Sequence, residues 1–349
     1  MLSNFWSFLQ LSLYPALDRQ LSEALSEAER QLVALLEFMA IEQHIDGYSH
    51  HGAGRPRHER SQLIRAFVAK AFFGYSTTKG LRDALIAGPG LRLICGFATP
   101  WHVPSLSTFS RAFSEFAAAG LGDKCHQALV KTHVGALLVL HNSRDSTALP
   151  AREKPVKSKA LPKAPYTRSV TDVQYNQSAD EALKALPRNC GVGRKPNSQG
   201  NLQTWIGYKV HVDWLDGMIA ANVETTSASV HDCTLAIPMM RTTAQRVPHI
   251  AYQLMDAAYD AIAIRKAAQD LDQTAIIEGQ TWKKKYIPFD TAQKKRFCQR
   301  TNAERAFSRL KDEFGLRDFR VRGHPKVHLH VMISILLLFA DQMLRPVTN

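Results

Sequence analysis

The sequence predicts an all-helical N-terminal region followed by an α/β domain, and three observations carry this reading. Apolar residues recur at helical spacing through roughly the first 125 positions. From residue 136 onward, short apolar runs bounded by turn residues take over, as strands require. Helical periodicity returns late, around Ala303 to Phe314 and again over 327–340. A boundary near residue 130 gives regions 1–130 and 131–349, in line with about two domains for 349 residues.

The elements of the first region have local causes. Ser26 and Glu29 have capping-box spacing and lead into Leu32, Leu35, Leu36 and Met39 on one helix face. A second helix is predicted over 62–73, stopped by Gly74, and a third begins near Thr78 and breaks at Gly88-Pro89-Gly90. A fourth starts near Ser107 and sets Phe109, Phe113 and Phe116 on one face, a pattern that core packing explains better than base stacking. Arg55, Arg57, Arg60, Arg65 and Arg111 are expected at the surface. The region therefore reads either as a helix-turn-helix-like DNA-binding head or as a bundle used for packing and dimerisation.

The second region opens with a buried strand over 136–140 that leads into the polar run His141-Asn142-Ser143-Arg144-Asp145. Residues 150–200, rich in Pro, Lys and Ser, read as a basic insertion that is extended or partly disordered. A strand over 205–212, a turn at Asp216-Gly217 and a strand over 218–225 follow, then strands over 252–255, ending at Asp256, and 274–277. The apolar stretch 327–340 contains His328 and His330 and is too short to span a bilayer, so it reads as a buried helix and no membrane partner is expected.

Composition narrows the function. There are 44 Lys and Arg against 31 Asp and Glu, a net charge of +13, which favours a polyanionic partner such as nucleic acid. The excess is uneven: residues 1–50 hold seven acids and two bases, whereas 281–326 hold fourteen bases and five acids. Five scattered cysteines suggest neither a disulfide framework nor a zinc site and fit a reducing cytoplasm.

The densest positive charge surrounds the run Phe297, Arg300, Glu304 and Lys311, which a continuous helix would hold within an arc of roughly 60°. Arg300 and Glu304 alone could be an ordinary surface ion pair. Asp145 and Asp256 change the weighting, because each is expected to close an apolar strand. Two strand-end carboxylates joined by a third from a helix can hold two divalent cations, Mg2+ by preference for hard oxygen donors, and support in-line displacement at phosphorus.

In these residues the chain resembles the DDE-type transposases of bacterial insertion sequences, whose C-terminal signature is Tyr-x2-Arg-x3-Glu-x6-Lys. Phe297, Arg300, Glu304 and Lys311 match its spacing, with Phe297 in the Tyr position and so without the hydroxyl. Asp145-Ser146-Thr147 resembles the first catalytic Asp motif, and Asp256 with Tyr259 resembles the second without its Gly. Gly207 to His211 and Val230-His231-Asp232 resemble the strand and turn between them; the His231-Asp232 pair reads more readily as turn-stabilising than as an acid/base couple. The resemblance also takes in Gly54-Arg55-Pro56 and the helices to Phe116.

The resemblance implies an RNase H-like catalytic domain, a mixed sheet flanked by helices. It implies Asp145, Asp256 and Glu304 as catalytic residues and ligands of two Mg2+ ions, with Mn2+ able to replace them. Arg300 and Lys311 become phosphate clamps, and Phe297, Lys283, Lys284, Lys285, Arg194 and Lys195 further DNA contacts. The expected activity is recognition of the element's terminal inverted repeats, strand cleavage and strand transfer by a homodimer acting on double-stranded DNA at the bacterial nucleoid. The 48 residues from Asp256 to Glu304 leave no room for the β-rich insertion of some hairpin-forming relatives. A nuclease or resolvase of the same fold and a non-catalytic DNA-binding derivative are the alternatives.

Overall fold

The structure, a computed structural model, describes residues 25–47, 57–156, 169–196, 200–279, 288–317 and 320–345. The chain divides into two units, one comprising residues 1–126, 310–320 and 329–349, the other 127–309 and 321–328. Two C-terminal segments, 310–320 and 329–349, group with the helical region in this division.

In the first unit, α1 (Glu27–Met39) starts on the expected capping box: the Ser26 hydroxyl accepts from the Glu29 amide while the Ser26 amide donates to the Glu29 carboxylate. Its buried face is Leu32, Leu35, Leu36 and Met39, as the periodicity requires. Then come α2 (Arg60–Phe72), α3 (Thr78–Ala87), α4 (Pro89–Ile94), α5 (Leu106–Ala118) and α6 (Leu121–His133). α3 breaks at the expected Gly-Pro-Gly, ending at Ala87 with Gly88 as its C-cap, and the same tripeptide starts α4, since Pro89 sits in the first turn, where a missing N–H is harmless. Phe67 of α2 meets Phe109, Phe113 and Phe116 edge-on, at 5.7, 4.7 and 6.5 Å, so those rings are core.

The surface role expected for the arginines of this unit is corrected for Arg60 and Arg65, whereas Arg57 and Arg111 are exposed as expected. Arg65 donates twice to Glu42, at 2.9 and 2.6 Å, and Arg60 grips Glu115 in a fork at 3.0 and 2.7 Å. Arg57 lies 3.8 Å from Glu115. These cations hold helices together; Arg111 remains exposed, and Gly54-Arg55-Pro56 lies outside the described residues. The last helix, α13 (His324–Leu344), has 21 residues and is long and apolar enough to cross a membrane, but most of it is buried within the protein, as a helix that is apolar all round must be in a core.

The second unit holds a six-stranded mixed sheet of β1 (Val139–Pro150), β2 (Gly191–Pro196), β3 (Leu202–Leu215), β4 (Ile219–Ser227), β5 (Ile250–Met255) and β6 (Thr274–Ile277). The order is β2-β3-β1-β5-β6, with β4 also paired to β3. β3 runs antiparallel to β1, β2 and β4, whereas β5 is parallel to β1, and β6 to β5. One face carries α9 (Ala236–Arg246) and α10 (Ile262–Gln269), whose Ile237, Met240 and Ile264 join Met255 and Ile277 in a core. On the other, Phe307 of α12 (Thr301–Asp312) stands edge-on to Trp214 at 5.4 Å.

The first strand departs most from expectation. Leu137, Leu138 and Leu140 are 54%, 76% and 52% exposed, whereas Asn142, Ser143 and Arg144 are buried. The polar run is strand, not loop, because the donors of Asn142 and Arg144 find buried partners on neighbouring strands. The Asn142 amide donates to the Gln253 side chain at 3.0 Å, and Arg144 forks onto Asp213 at 2.7 and 2.8 Å. Within 150–200, residues 169–196 form α7 (Val170–Tyr175), α8 (Ala179–Lys184) and β2, while 157–168 and 197–199 lie outside the described residues.

Candidate active site

Asp145 does not close its strand. β1 continues to Pro150 against β3, but its parallel pairing with β5 stops at Ser143 opposite Leu254. Two residues beyond that last pair, the same register sets Asp145 beside Asp256, the first residue after β5. Mid-strand on one partner and strand-end on the other, Asp145 is fixed by antiparallel pairing with Val212 while its side chain meets the open end of β5.

Both acids are fastened by neighbouring amides: Ser146 N–H donates to Asp145 Oδ1 at 2.9 Å, and Ala258 N–H donates to Asp256 Oδ1 at 2.9 Å. Burial pushes the Asp145 carboxyl up to about 6, with Asp256 and Asp232 adding to the rise and Arg300 and the Ser146 amide opposing it. Burial also raises Asp256, aided by Asp232 and Glu278 and opposed by Ala258 and Arg300.

The helix expected over the signature run is interrupted. α11 (Thr291–Phe297) ends at the signature's aromatic, a 3-10 turn covers Cys298–Arg300, and α12 begins at Thr301, so Glu304 lies in its first turn. Arg300, at the end of the tight turn, lies 3.7 Å from Asp145 Oδ2 and 3.7 Å from Glu304 Oε1. It also lies over the Phe297 ring at 5.8 Å, and Phe297 packs on Phe289 at 5.0 Å. Lys311 sits two turns beyond Glu304 on α12. Arg194 and Lys195 are exposed on β2; Lys283, Lys284 and Lys285 lie outside the described residues.

Behind Asp145, on the α9 side of the sheet, lies a second carboxylate centre. Asp232 Oδ1 accepts from Ser146 Oγ at 2.9 Å and from Lys209 Nζ at 3.0 Å, with His211 Nδ1 3.7 Å away. Burial pushes Asp232 up, but His211, Lys209 and Ser146 together outweigh it and hold the acid below its ordinary value. Complete burial takes His211 down to about 3, against the opposing pull of Asp232. Ser146 thus holds two acids at once, Asp145 through its amide and Asp232 through its hydroxyl. Tyr259, fully buried among Asp232, Asp145 and Asp256, has a hydroxyl without a hydrogen-bond partner among the described residues, and burial raises it well above the usual phenol range.

His231 and Asp232 separate in role. His231 is exposed and its carbonyl accepts from Thr234 Oγ1 at 2.6 Å, a turn function, while Asp232 turns inward. Sequence reasoning passed over Lys209, His211 and the fully buried Arg144–Asp213 pair. The available signal was period two: Lys209, His211 and Asp213 alternate onto one face of β3.

The donor set suits a hard divalent cation: carboxylate oxygens on three separate elements, two of them raised by burial and like charge. Among the described residues no three His, Cys, Asp or Glu side chains gather into a cage, and Arg300 supplies the balancing charge.

A family model described as Transposase DDE domain matches residues 145–340, and one described as Transposase domain (DUF772) matches residues 17–115. The first match begins at Asp145 and contains Asp256, Arg300 and Glu304. No curated protein and no solved structure matches the chain.

Proposed function

The chain belongs to the DDE transposase family, and from that membership we propose that it binds the terminal inverted repeats of its own insertion sequence, cuts the DNA there and joins the freed 3′ ends to target DNA. The observation that carries this reading is Arg300 between Asp145 and Glu304, with Asp256 at the matching register of the neighbouring strand. A surface ion pair would have no reason to engage a carboxylate from the sheet.

Asp145, Asp256 and Glu304 would hold divalent metal, Mg2+ with Mn2+ as a substitute. When bound, it supplies activation of the attacking water or 3′ hydroxyl and charge stabilisation of the leaving oxygen. The chain's own residues do the positioning. Ser146 and Ala258 amides fix the two aspartates, and Lys209 balances Asp232 so that only the front acids face the reaction. Arg300 exchanges its carboxylate partners for a backbone phosphate, which its planar fork suits, and Lys311 adds a point charge two turns along. Phe297 stacks without donating a hydrogen bond, which sets this chain apart from the Tyr-Arg-Glu-Lys signature. Lys283, Lys284, Lys285, Arg194 and Lys195 supply further contacts to double-stranded DNA, and two copies act together because two ends must be joined.

A nuclease of the same fold would cut without joining. Labelled 3′-hydroxyl ends incubated with target duplex distinguish the two, since only a transposase yields joined products. Glu304→Gln should abolish both cleavage and joining while end binding in a gel shift stays within about threefold, because neutralising one ligand spares the phosphate contacts. Undiminished cleavage by that variant would end this assignment of the site.

A further inference from the structure

Beyond the point where β1 ends at Pro150, β3 continues toward Leu202 paired with β2. The result is a two-stranded ribbon, Gly191–Pro196 against Leu202–Gly207, growing from β3, the strand whose Val212 pairs with Asp145. Its two faces differ.

On one face Trp205 lies flat on Gly193: a Cβ there would come within 2.3 Å of the indole, so only glycine permits the approach. The indole N–H donates to the Tyr208 carbonyl at 3.1 Å, and Lys209 sits 6.0 Å from the ring. This plating stiffens the ribbon.

Among the described residues nothing covers the opposite face. Val192, Leu202 and Ile206 are 38%, 64% and 42% exposed, and Arg194 and Thr204 between them are exposed too. By the alternation of β3, Leu202, Thr204 and Ile206 belong to the same face as Val212, the residue paired with Asp145. No acidic residue occurs between Glu181 and Asp213 in the sequence, whereas Arg194, Lys195, Gln203 and Thr204 lie within the ribbon.

We propose that this bare face is a second DNA-binding surface, lying in a groove of the same duplex whose phosphate reaches Asp145. The inference rests on the transposase reading above and deepens it. Acid-free charge favours duplex over protein as the occupant, and an antiparallel ribbon has the width of a major groove. Val192, Leu202 and Ile206 offer apolar contact of the kind thymine methyl groups accept, and Arg194 and Thr204 offer hydrogen bonds to base edges or phosphate. Five residues separate Asp145 from Pro150 and five more separate Gly207 from Leu202, so the ribbon spans about 17 to 33 Å from the catalytic carboxylate at about 3.3 Å per residue. At roughly 3.4 Å per base pair the contact falls about five to ten base pairs from the cut. It therefore gives the enzyme a ruler for placing the cut relative to internal sequence.

Hydroxyl-radical footprinting of the full-length protein tests this, on a duplex taken from the DNA flanking its own reading frame and carrying one element end. The comparison is with Arg194→Ala/Thr204→Ala and Leu202→Ser/Ile206→Ser. The variants should lose protection about five to ten base pairs from the cut, keep it at the cut, bind about tenfold more weakly, and, for the Arg194 pair, show a salt slope smaller by about one. Unchanged protection in that window overturns the proposal. So does unchanged protection joined to a shift from dimer to monomer in sedimentation, which would assign the face to a second copy of the chain. A wild-type protein that leaves no footprint anywhere on this duplex sinks the transposase reading instead.

Discussion

Arg300 stands 3.7 Å from Asp145, near enough to balance its charge and too far to complete a hydrogen bond. The contact is electrostatic and loose. A tight fork of the Arg144–Asp213 kind would make Arg300 structural, whereas this spacing leaves it free to be drawn to phosphate.

Asp145 itself should report on its burial. Its carboxyl is raised from 3.8 to about 6, so folding favours the protonated form. The sign follows: this contribution to stability is complete below about pH 4 and is lost as pH rises through about 6. With the side chain 21% exposed, the ionised acid costs on the order of 2 kcal/mol at neutral pH. In metal-free buffer Asp145→Asn should therefore melt several degrees above the native chain at pH 8 and level with it at pH 4. Equal shifts at both values would show that burial of this charge is not the cause.

The Arg144–Asp213 pair is fully buried, so removing one partner strands the other. Asp213→Ala should cost about 3–5 kcal/mol in urea denaturation, and Arg144→Met in the same chain should recover much of it. A loss below about 1 kcal/mol would contradict the buried geometry.

Asp232 touches no expected metal ligand directly, yet shares Ser146 with Asp145. Asp232→Asn should slow cleavage by about ten- to a hundredfold with end binding unchanged, the scale typical of residues that orient ligands. Ser146→Ala should follow in the same direction by less. Native-like cleavage in both variants would remove this network from the active site.

Much of this arrangement was legible from residue type and spacing. Ser26 and Glu29 announced α1 because a capping box is a local hydrogen-bond pattern, and Asp256 announced the end of β5 because apolar residues stop there. Arg144 defeated the same logic: an arginine inside a strand reads as loop until its partner, 69 residues away, is known. The helical arginines failed for that reason too, since Arg65 and Glu42 meet only in three dimensions. Phe297, Arg300 and Glu304 were legible as a group, but the 3-10 turn at Cys298–Arg300 was not, because no glycine or proline marks it.

The order in which the site's parts occur along the chain has a consequence for timing. β1 and β5 can pair once residue 255 has emerged from the ribosome, but Arg300 and Glu304 follow later. At about 5–20 residues per second, the 48 residues from Asp256 to Glu304 take roughly 2–10 seconds to make. Until then a nascent chain holds two buried acids with neither their third member nor their cation. Any chemistry that needs Glu304 beside these two acids must therefore wait until the 3-10 turn and the first turn of α12 have been made.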